Sequence, residues 1–399
     1  MKYVVVLADG MADEPLEELG GKTPLEYANT PVMDVLAGQG IIGTARTVPA
    51  SMKPGSDVAN LAVLGYDPLK NYSGRSPLEA LSVGVSMDAD DVVFRCNLVT
   101  VSEDEPYDEK VILDHSSGEI STEDANVLME AVHEAFNSEQ FQFFTGTSYR
   151  HITVWKQGCV LDFEPPHDHL GAVIGPYLPK EPLFRAMMEK SFSILNEHPL
   201  NKRRAEEGKN KANSIWFWGA GTKPSLQSFY EKTGLRGAVI SAVDLLKGIA
   251  TGTGMQVIHV DGATGSLDTN YSGKANAALR ALLEEGLDLV YIHVEAPDEM
   301  GHQGNLWHKV KAIEMIDSEI VGPIKKKLDE SGEDYRILVM PDHPTPIRLR
   351  THTADPVPYI LFDSTQQLKR IARFSEAEAT AAGNYMPDGY LLLDRLIKK

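Results

Sequence analysis

Apolar residues in this chain gather in short unbroken runs rather than in strict alternation. Tyr3 to Ala8, Asp288-Leu-Val-Tyr-Ile-His-Val294 and Ile337 to Met340 are continuous or nearly so and rich in β-branched side chains. Runs of this kind predict central parallel strands buried on both faces. Helical spacing lies between them. Thr30-Pro-Val-Met-Asp-Val-Leu-Ala37 predicts a helix with Thr30 as cap and Pro31 at its first position. Val310, Ile313, Ile316, Ile320 and Ile324 mark one face of another, and Ala275 to Glu285 a third. Ala238–Leu246 and Met255–Val260 continue the strand–helix alternation, and Ser214-Ile-Trp-Phe-Trp-Gly-Ala-Gly221 reads as an aromatic core strand running into a glycine turn. Alternation of this sort predicts an open α/β sheet.

The pattern changes near residue 88. Val92–Val101 and Gly146–Val154 predict strands, and Thr122 to Asn137 an amphipathic helix capped by Thr122. Strand, helix, strand in this order predicts a smaller α+β domain, residues 88–180, inserted into a discontinuous larger one, 1–87 and 181–399. Gly171 to Pro182 would be the return linker. With 399 residues, 42% of them hydrophobic, the chain can build both cores.

Charge narrows the partners. The 57 Asp and Glu outnumber 38 Lys and Arg, for a net charge of −19. Such a surface argues against nucleic acid or anionic membrane, and requires a local cationic patch for any anionic substrate. Cys96 and Cys159 form no CxxC pair and read as reduced core residues of a cytoplasmic protein. No run reaches the length of a membrane span.

Candidate chemistry sits at strand ends, where open α/β sheets bind ligands. Asp9 follows the first strand; Asp298 and His302, four apart, follow another on one helical face; Asp342 and His343 follow a third, with His352 on the next loop. These six offer oxygen and nitrogen ligands enough for two ions. A set without cysteine suits Mn²⁺ best, with Zn²⁺ or Mg²⁺ as alternatives. In Gly55-Ser-Asp57 the serine lies at or near a helix N-terminus, where anions are favoured, although Ser and Asp are also the commonest N-caps. Ser56 beside two cations would make a phosphoryl-transfer site. Arg75 is either a phosphate clamp or a solvated arginine, and Lys274 either a ligand contact or a surface lysine. Tyr149-Arg150-His151 sets a cation beside an imidazole, Pro165-Pro-His-Asp-His169 reads as a substrate-side or structural loop, and the basic stretch His198 to Ala212 as a solvated helix face.

Taken together, Gly55-Ser-Asp57 with Leu64-Gly-Tyr-Asp-Pro68, Tyr149-Arg-His151, Lys274-Ala-Asn-Ala277, Glu295-Ala-Pro-Asp298 with Gly301-His302, Asp342-His343 and His352 resemble the alkaline phosphatase superfamily. Within it they resemble the cofactor-independent phosphoglycerate mutases of archaeal type. The resemblance implies an α/β, alkaline phosphatase-like doubly wound sheet with an inserted capping domain. It implies Ser56 as the nucleophile that becomes phosphoserine, one ion held by Asp9, Ser56, Asp342 and His343, and another by Asp298, His302 and His352. Arg75, Arg150, His151 and Lys274 would then orient a small phosphorylated substrate. One departure is Asn60, in Ala59-Asn-Leu61, where the family pattern has histidine. It leaves open a homoserine kinase-like phosphotransferase or a metal-dependent phosphohydrolase.

Overall fold

The computed structural model describes residues 1–398 apart from 367, 369 and 371. Its strands, in chain order, are β1 (Lys2–Ala8), β2 (Ile41–Ala45), β3 (Val92–Val101), β4 (Ile112–Asp114), β5 (Phe141–Phe144), β6 (Arg150–Trp155), β7 (Ser214–Thr222), β8 (Gly237–Ile240), β9 (Gln256–Val257), β10 (Leu289–Val294), β11 (Tyr335–Met340), β12 (Val357–Asp363) and β13 (Tyr385–Met386). The chain divides into two compact units, Met1–Tyr72 with Ser225–Lys399, and Ser73–Pro224.

In the first unit the sheet order is β13-β2-β12-β11-β1-β10-β8-β9. From β11 to β9 every neighbouring pair is parallel. Leu7 lies beside both His293 and Met340, so β1, β10 and β11 end level with one another. That register is what lets residues far apart in sequence meet at one edge. Val4, Val6 and Ala8 join a core built with the helices Pro31–Gln39, Tyr271–Leu283 and Leu306–Ile316. Tyr3, Val5 and Leu7 point the opposite way and are also buried. There the Tyr3 hydroxyl donates to the Ile397 carbonyl at 3.3 Å and Arg336 to the Leu396 carbonyl at 3.0 Å, so the helix Leu392–Ile397 lies on that side. Helices on both faces make this the α/β sheet the apolar runs predict. Among the described residues no helix is long and apolar enough to cross a membrane.

The predicted cap on Pro31–Gln39 comes from elsewhere. The Thr30 side chain makes no capping bond. Instead Asp317, at the start of a π-helical turn Asp317–Val321, accepts from the Met33 N–H at 2.7 Å and the Val32 N–H at 3.2 Å.

The second unit is larger than residues 88–180. β7, expected in the larger domain, pairs antiparallel with β3 from Val92 to Val99, and β6 pairs on the other side of β3. The helices Arg75–Ser82, Pro182–Leu195 and Pro199–Glu206 therefore belong here too, and Phe184 and Phe217 share its core with Phe94 and Leu98. A strand's own sequence predicts that it is buried but not which strand it joins, and the boundary moves for that reason. The expected linker lies inside this unit, with Val173 bridging Val111. Its long helix, Thr122–Phe136, is capped by Ser121, which accepts from the Asp124 N–H at 3.2 Å, rather than by Thr122. Arg204 is not solvated: it is buried and donates to Asp124 at 2.6 Å and to the Ser117 carbonyl at 3.1 Å. Of the two free cysteines Cys96 is buried, but Cys159 is exposed.

Candidate active site

The level strand ends bring the acids together. Asp9 follows β1 and Asp342 lies two residues past β11. The N–H groups of Gly10 and His343 donate to Asp342 Oδ1 at 3.2 and 2.9 Å, and the Thr47 hydroxyl to its carbonyl at 2.5 Å. Gly10 adopts φ +63°, and a Cβ there would stand 2.6 Å from Asp298 Oδ1. Only glycine fits so close an approach of backbone to carboxylate. Ser56 opens the helix Ser56–Val63, with Gly55 as its cap. The Ser56 Oγ stands 3.1 Å from His343 Nε2 and 3.4 Å from Asp9 Oδ2.

One helical turn, Ala296–His302, carries Asp298 and His302 as their spacing predicts. His302 Nε2 lies 3.2 Å from Asp298 Oδ2 and 2.9 Å from His352 Nε2, and His352 Nε2 lies 3.4 Å from Asp298 Oδ1. Ligand atoms of Asp9, Asp342 and His343 fall within 4.8 Å of one another, and so do those of Asp298, His343 and His352. Asp9, Ser56, Asp298, His302, Asp342, His343 and His352 thus converge, with His343 common to both groups.

The electrostatics of this cluster call for cations. Burial, with the negative charges of Asp342, Asp298 and Glu295, holds the Asp9 carboxyl well above its ordinary pKa. Its Oδ1 is buried and accepts no hydrogen bond among the described residues. Burial alone would raise Asp298 as well, but the imidazoles of His302, His352 and His343 hold it well below the usual carboxylate range. Its bond to Asp298 pushes His302 up to about 9. Burial pushes His343 down. His343 Nδ1 faces the Thr345 hydroxyl oxygen at 3.3 Å, and that hydroxyl donates to Asp298. The Nδ1 therefore bears the proton, and the Nε2 lone pair points at Ser56. An orphaned carboxylate oxygen, the His343 Nε2 lone pair and the absence of sulfur fit divalent metal ions.

Several supporting residues give no motif signal. Tyr291 and His293, two apart, share one face of β10. The Tyr291 hydroxyl donates to Asn60 Oδ1 at 2.5 Å, and Asn60 Nδ2 donates to Asp342 Oδ2 and to the Ser56 carbonyl, each at 2.8 Å. His293 Nε2 lies 2.9 Å from Asp9 Oδ2. The only signal in the sequence is a phenol and an imidazole within an otherwise apolar buried strand. Lys309 and Asp13 form a fully buried ion pair at 2.7 Å; Lys309 also donates to the Thr345 carbonyl at 2.8 Å and Asp13 accepts from the Ile347 N–H at 3.1 Å. This pair anchors the loop after β11, and removing one partner of such a pair costs about 3–5 kcal/mol.

The expected substrate-side residues divide between the two units. Arg75 and Arg150 are exposed on the Ser73–Pro224 unit, Arg75 bonded to Glu79 at 2.9 Å and Arg150 lying 5.1 Å from the centre of the Tyr149 ring. His151 pairs with Cys96 across the strands and is wholly buried; its Nδ1 accepts from the Gly146 N–H at 3.1 Å, and burial pushes its pKa down to about 3. It is a core imidazole, not a surface ligand contact. Lys274 is also no surface lysine: it is buried, donates to the His293 carbonyl at 2.9 Å, and burial pushes it down to about 8. The turn Pro166–His169 is 3₁₀-helical, and His169 stacks on Tyr177.

Known proteins resemble this chain over most of its length. The family model for 2,3-bisphosphoglycerate-independent phosphoglycerate mutase matches residues 37–201. The chain is 52% identical to a probable 2,3-bisphosphoglycerate-independent phosphoglycerate mutase of Geobacter sulfurreducens, over the whole of both chains. It is 50% identical to the Methanosarcina barkeri enzyme of that name, over 96% of each. Among solved structures, a protein from Pyrococcus horikoshii matches with a TM-score of 0.82 and 30% identity, over 99% of this chain and 96% of that one. The cofactor-independent phosphoglycerate mutase of Thermoplasma acidophilum matches with a TM-score of 0.67 and 26% identity, over 100% and 99%. This chain belongs to the 2,3-bisphosphoglycerate-independent phosphoglycerate mutase family.

Proposed function

We propose that the protein is a cytoplasmic, metal-dependent isomerase that interconverts 3-phosphoglycerate and 2-phosphoglycerate, with Ser56 carrying the phosphoryl group between the two positions. The observation that carries this reading is the Ser56 hydroxyl, set at a helix start within 3.4 Å of both an acid and an imidazole. Asp9, Asp342 and His343 would hold one divalent ion with Ser56, and Asp298, His302 and His352 the other, with Mn²⁺ the best match to the donors. Bound ions would supply a lowered pKa for the serine hydroxyl and neutralise charge on the phosphoryl oxygens. The first N–H groups of the helix Ser56–Val63 favour an anion at the same place. Lys274 would act by bracing the backbone at His293. Ser56 Oγ would form its bond to phosphorus as the bond from phosphorus to the glycerate 3-oxygen breaks, the serine proton passing to that departing oxygen. The retained glycerate would then turn, and its 2-hydroxyl would take the phosphoryl group as the Ser56–phosphorus bond breaks, its proton returning to Ser56. Because the phosphoryl group returns to the molecule it left, neither a nucleotide nor bisphosphoglycerate is required. A phosphohydrolase or a homoserine kinase would use the same serine but yield inorganic phosphate or need a nucleotide.

The test uses protein stripped by a chelator and reloaded with Mn²⁺. It should convert 3-phosphoglycerate with neither ATP nor bisphosphoglycerate present. Ser56→Ala should lower turnover on the order of 10⁴-fold or more, as removal of an enzyme's nucleophile does. Turnover retained in Ser56→Ala, or no conversion of 3-phosphoglycerate by the wild type, would overturn the assignment.

A further inference from the structure

We propose that His293 is a positioning residue that fixes which oxygen of Asp9 faces the ion site. The inference rests on Asp9 being an ion ligand. His293 is wholly buried, with Nε2 2.9 Å from Asp9 Oδ2 and Nδ1 3.1 Å from the Ser241 hydroxyl. As an ion ligand Asp9 must be ionised, so its Oδ2 has no proton to give and Nε2 is the donor. Nδ1 then carries the lone pair and accepts the Ser241 O–H. Ser241 is arranged for that role, because its oxygen already accepts the Val243 N–H at 3.0 Å and its own proton is free to point at the ring. The relay Val243 N–H, Ser241 O–H, His293 Nε2–H thus ends on Asp9 Oδ2. The opposite oxygen, Oδ1, is the one that is buried with no hydrogen bond among the described residues. Occupying Oδ2 turns Asp9 into a ligand that presents Oδ1, and it holds the plane of the carboxylate against rotation. The parallel register explains the placement: His293 pairs with Leu7 and Ile292 with Ile240, which sets Ser241, His293 and the end of β1 in one row. Partners of this outer kind orient ligands and raise metal affinity.

Calorimetric titration of metal-free protein with MnCl₂ tests this without recourse to turnover. His293→Leu fills the same space without a donor and should weaken Mn²⁺ binding about 10- to 100-fold. His293→Gln returns an N–H to the Nε2 position and should recover most of that loss, with near-ultraviolet dichroism confirming that both variants fold. Nitrogen-15 histidine spectra of the wild type loaded with diamagnetic Mg²⁺, which keeps Asp9 ionised, should show His293, assigned by its loss in His293→Leu, as the Nε2–H tautomer. Wild-type affinity in His293→Leu, Gln no better than Leu, or an Nδ1–H tautomer would each overturn the inference while leaving the ion site in place. A wild type that binds no Mn²⁺ would bring down the ion site itself and this inference with it.

Discussion

At the scale of single residues, the candidate ligands were legible and the residues that support them were not. Asp9, Asp298, His302, Asp342, His343 and His352 stand out because charged residues just past apolar runs have no packing reason to be there. Asn60 carries no such mark, since an amide inside a short helix reads as a tolerated polar residue. Its role follows from tertiary contact: it joins Tyr291 to Asp342 and to the first residue of the serine helix. Tyr291→Phe removes one oxygen and leaves the shape of the core intact. The buried Asn60 Oδ1 then loses the phenol, and an unsatisfied buried acceptor costs about 1–3 kcal/mol. Denaturant unfolding of metal-free protein should show a loss of that size. Mn²⁺ affinity should fall as well, because the amide that holds Asp342 is no longer held. An unchanged midpoint and unchanged affinity would mean that Asn60 is fixed by its other bonds alone.

At the scale of elements, the predicted strands and helices mostly formed, and the misassignments lie at caps and pairings. Both are decided by what is nearby in space. Thr30 before Pro31 is a sound local signal for a helix start, yet the N–H groups of Val32 and Met33 are taken by Asp317 from a helix nearly 300 residues later. Burial raises the Asp317 carboxyl, and the two N–H bonds only partly offset this. The pair of bonds is still a cap in function, joining the helix Pro31–Gln39 to the π-helical turn across the core. Asp317→Ala should therefore destabilise the protein by about 0.5–2 kcal/mol, the cost of losing an N-cap. Thr30→Ala should cost much less, since its hydroxyl caps nothing. Urea midpoints of the two variants decide the matter, and a larger effect from Thr30 would return the cap to the residue that sequence favours.

For the whole molecule, the sequence disclosed that a second unit interrupts the first but placed its edges too close together. The aromatic strand Ser214–Thr222 reads equally well in either sheet, and only its pairing with β3 assigns it. That assignment has a measurable consequence. Trp155, Trp216 and Trp218 lie in the Ser73–Pro224 unit, and only Trp307 in the unit that holds all seven candidate ion ligands. Each unit has its own apolar core, one around β1 and β10, the other around β3 and β7. Ions bound by the folded state stabilise it by mass action, about 2.7 kcal/mol at 100 times the dissociation constant. They would also offset the burial and the repulsion from Asp342 and Asp298 that together raise the Asp9 carboxyl. Stripping the ions should therefore lower the calorimetric transition of the ligand-bearing unit by about 2–4 °C for each kcal/mol lost. The transition seen by tryptophan fluorescence, which reports mainly on the other unit, should move far less. Equal shifts by both probes would show that the two cores unfold as one cooperative block, and that ion binding stabilises residues far outside the unit that supplies its ligands.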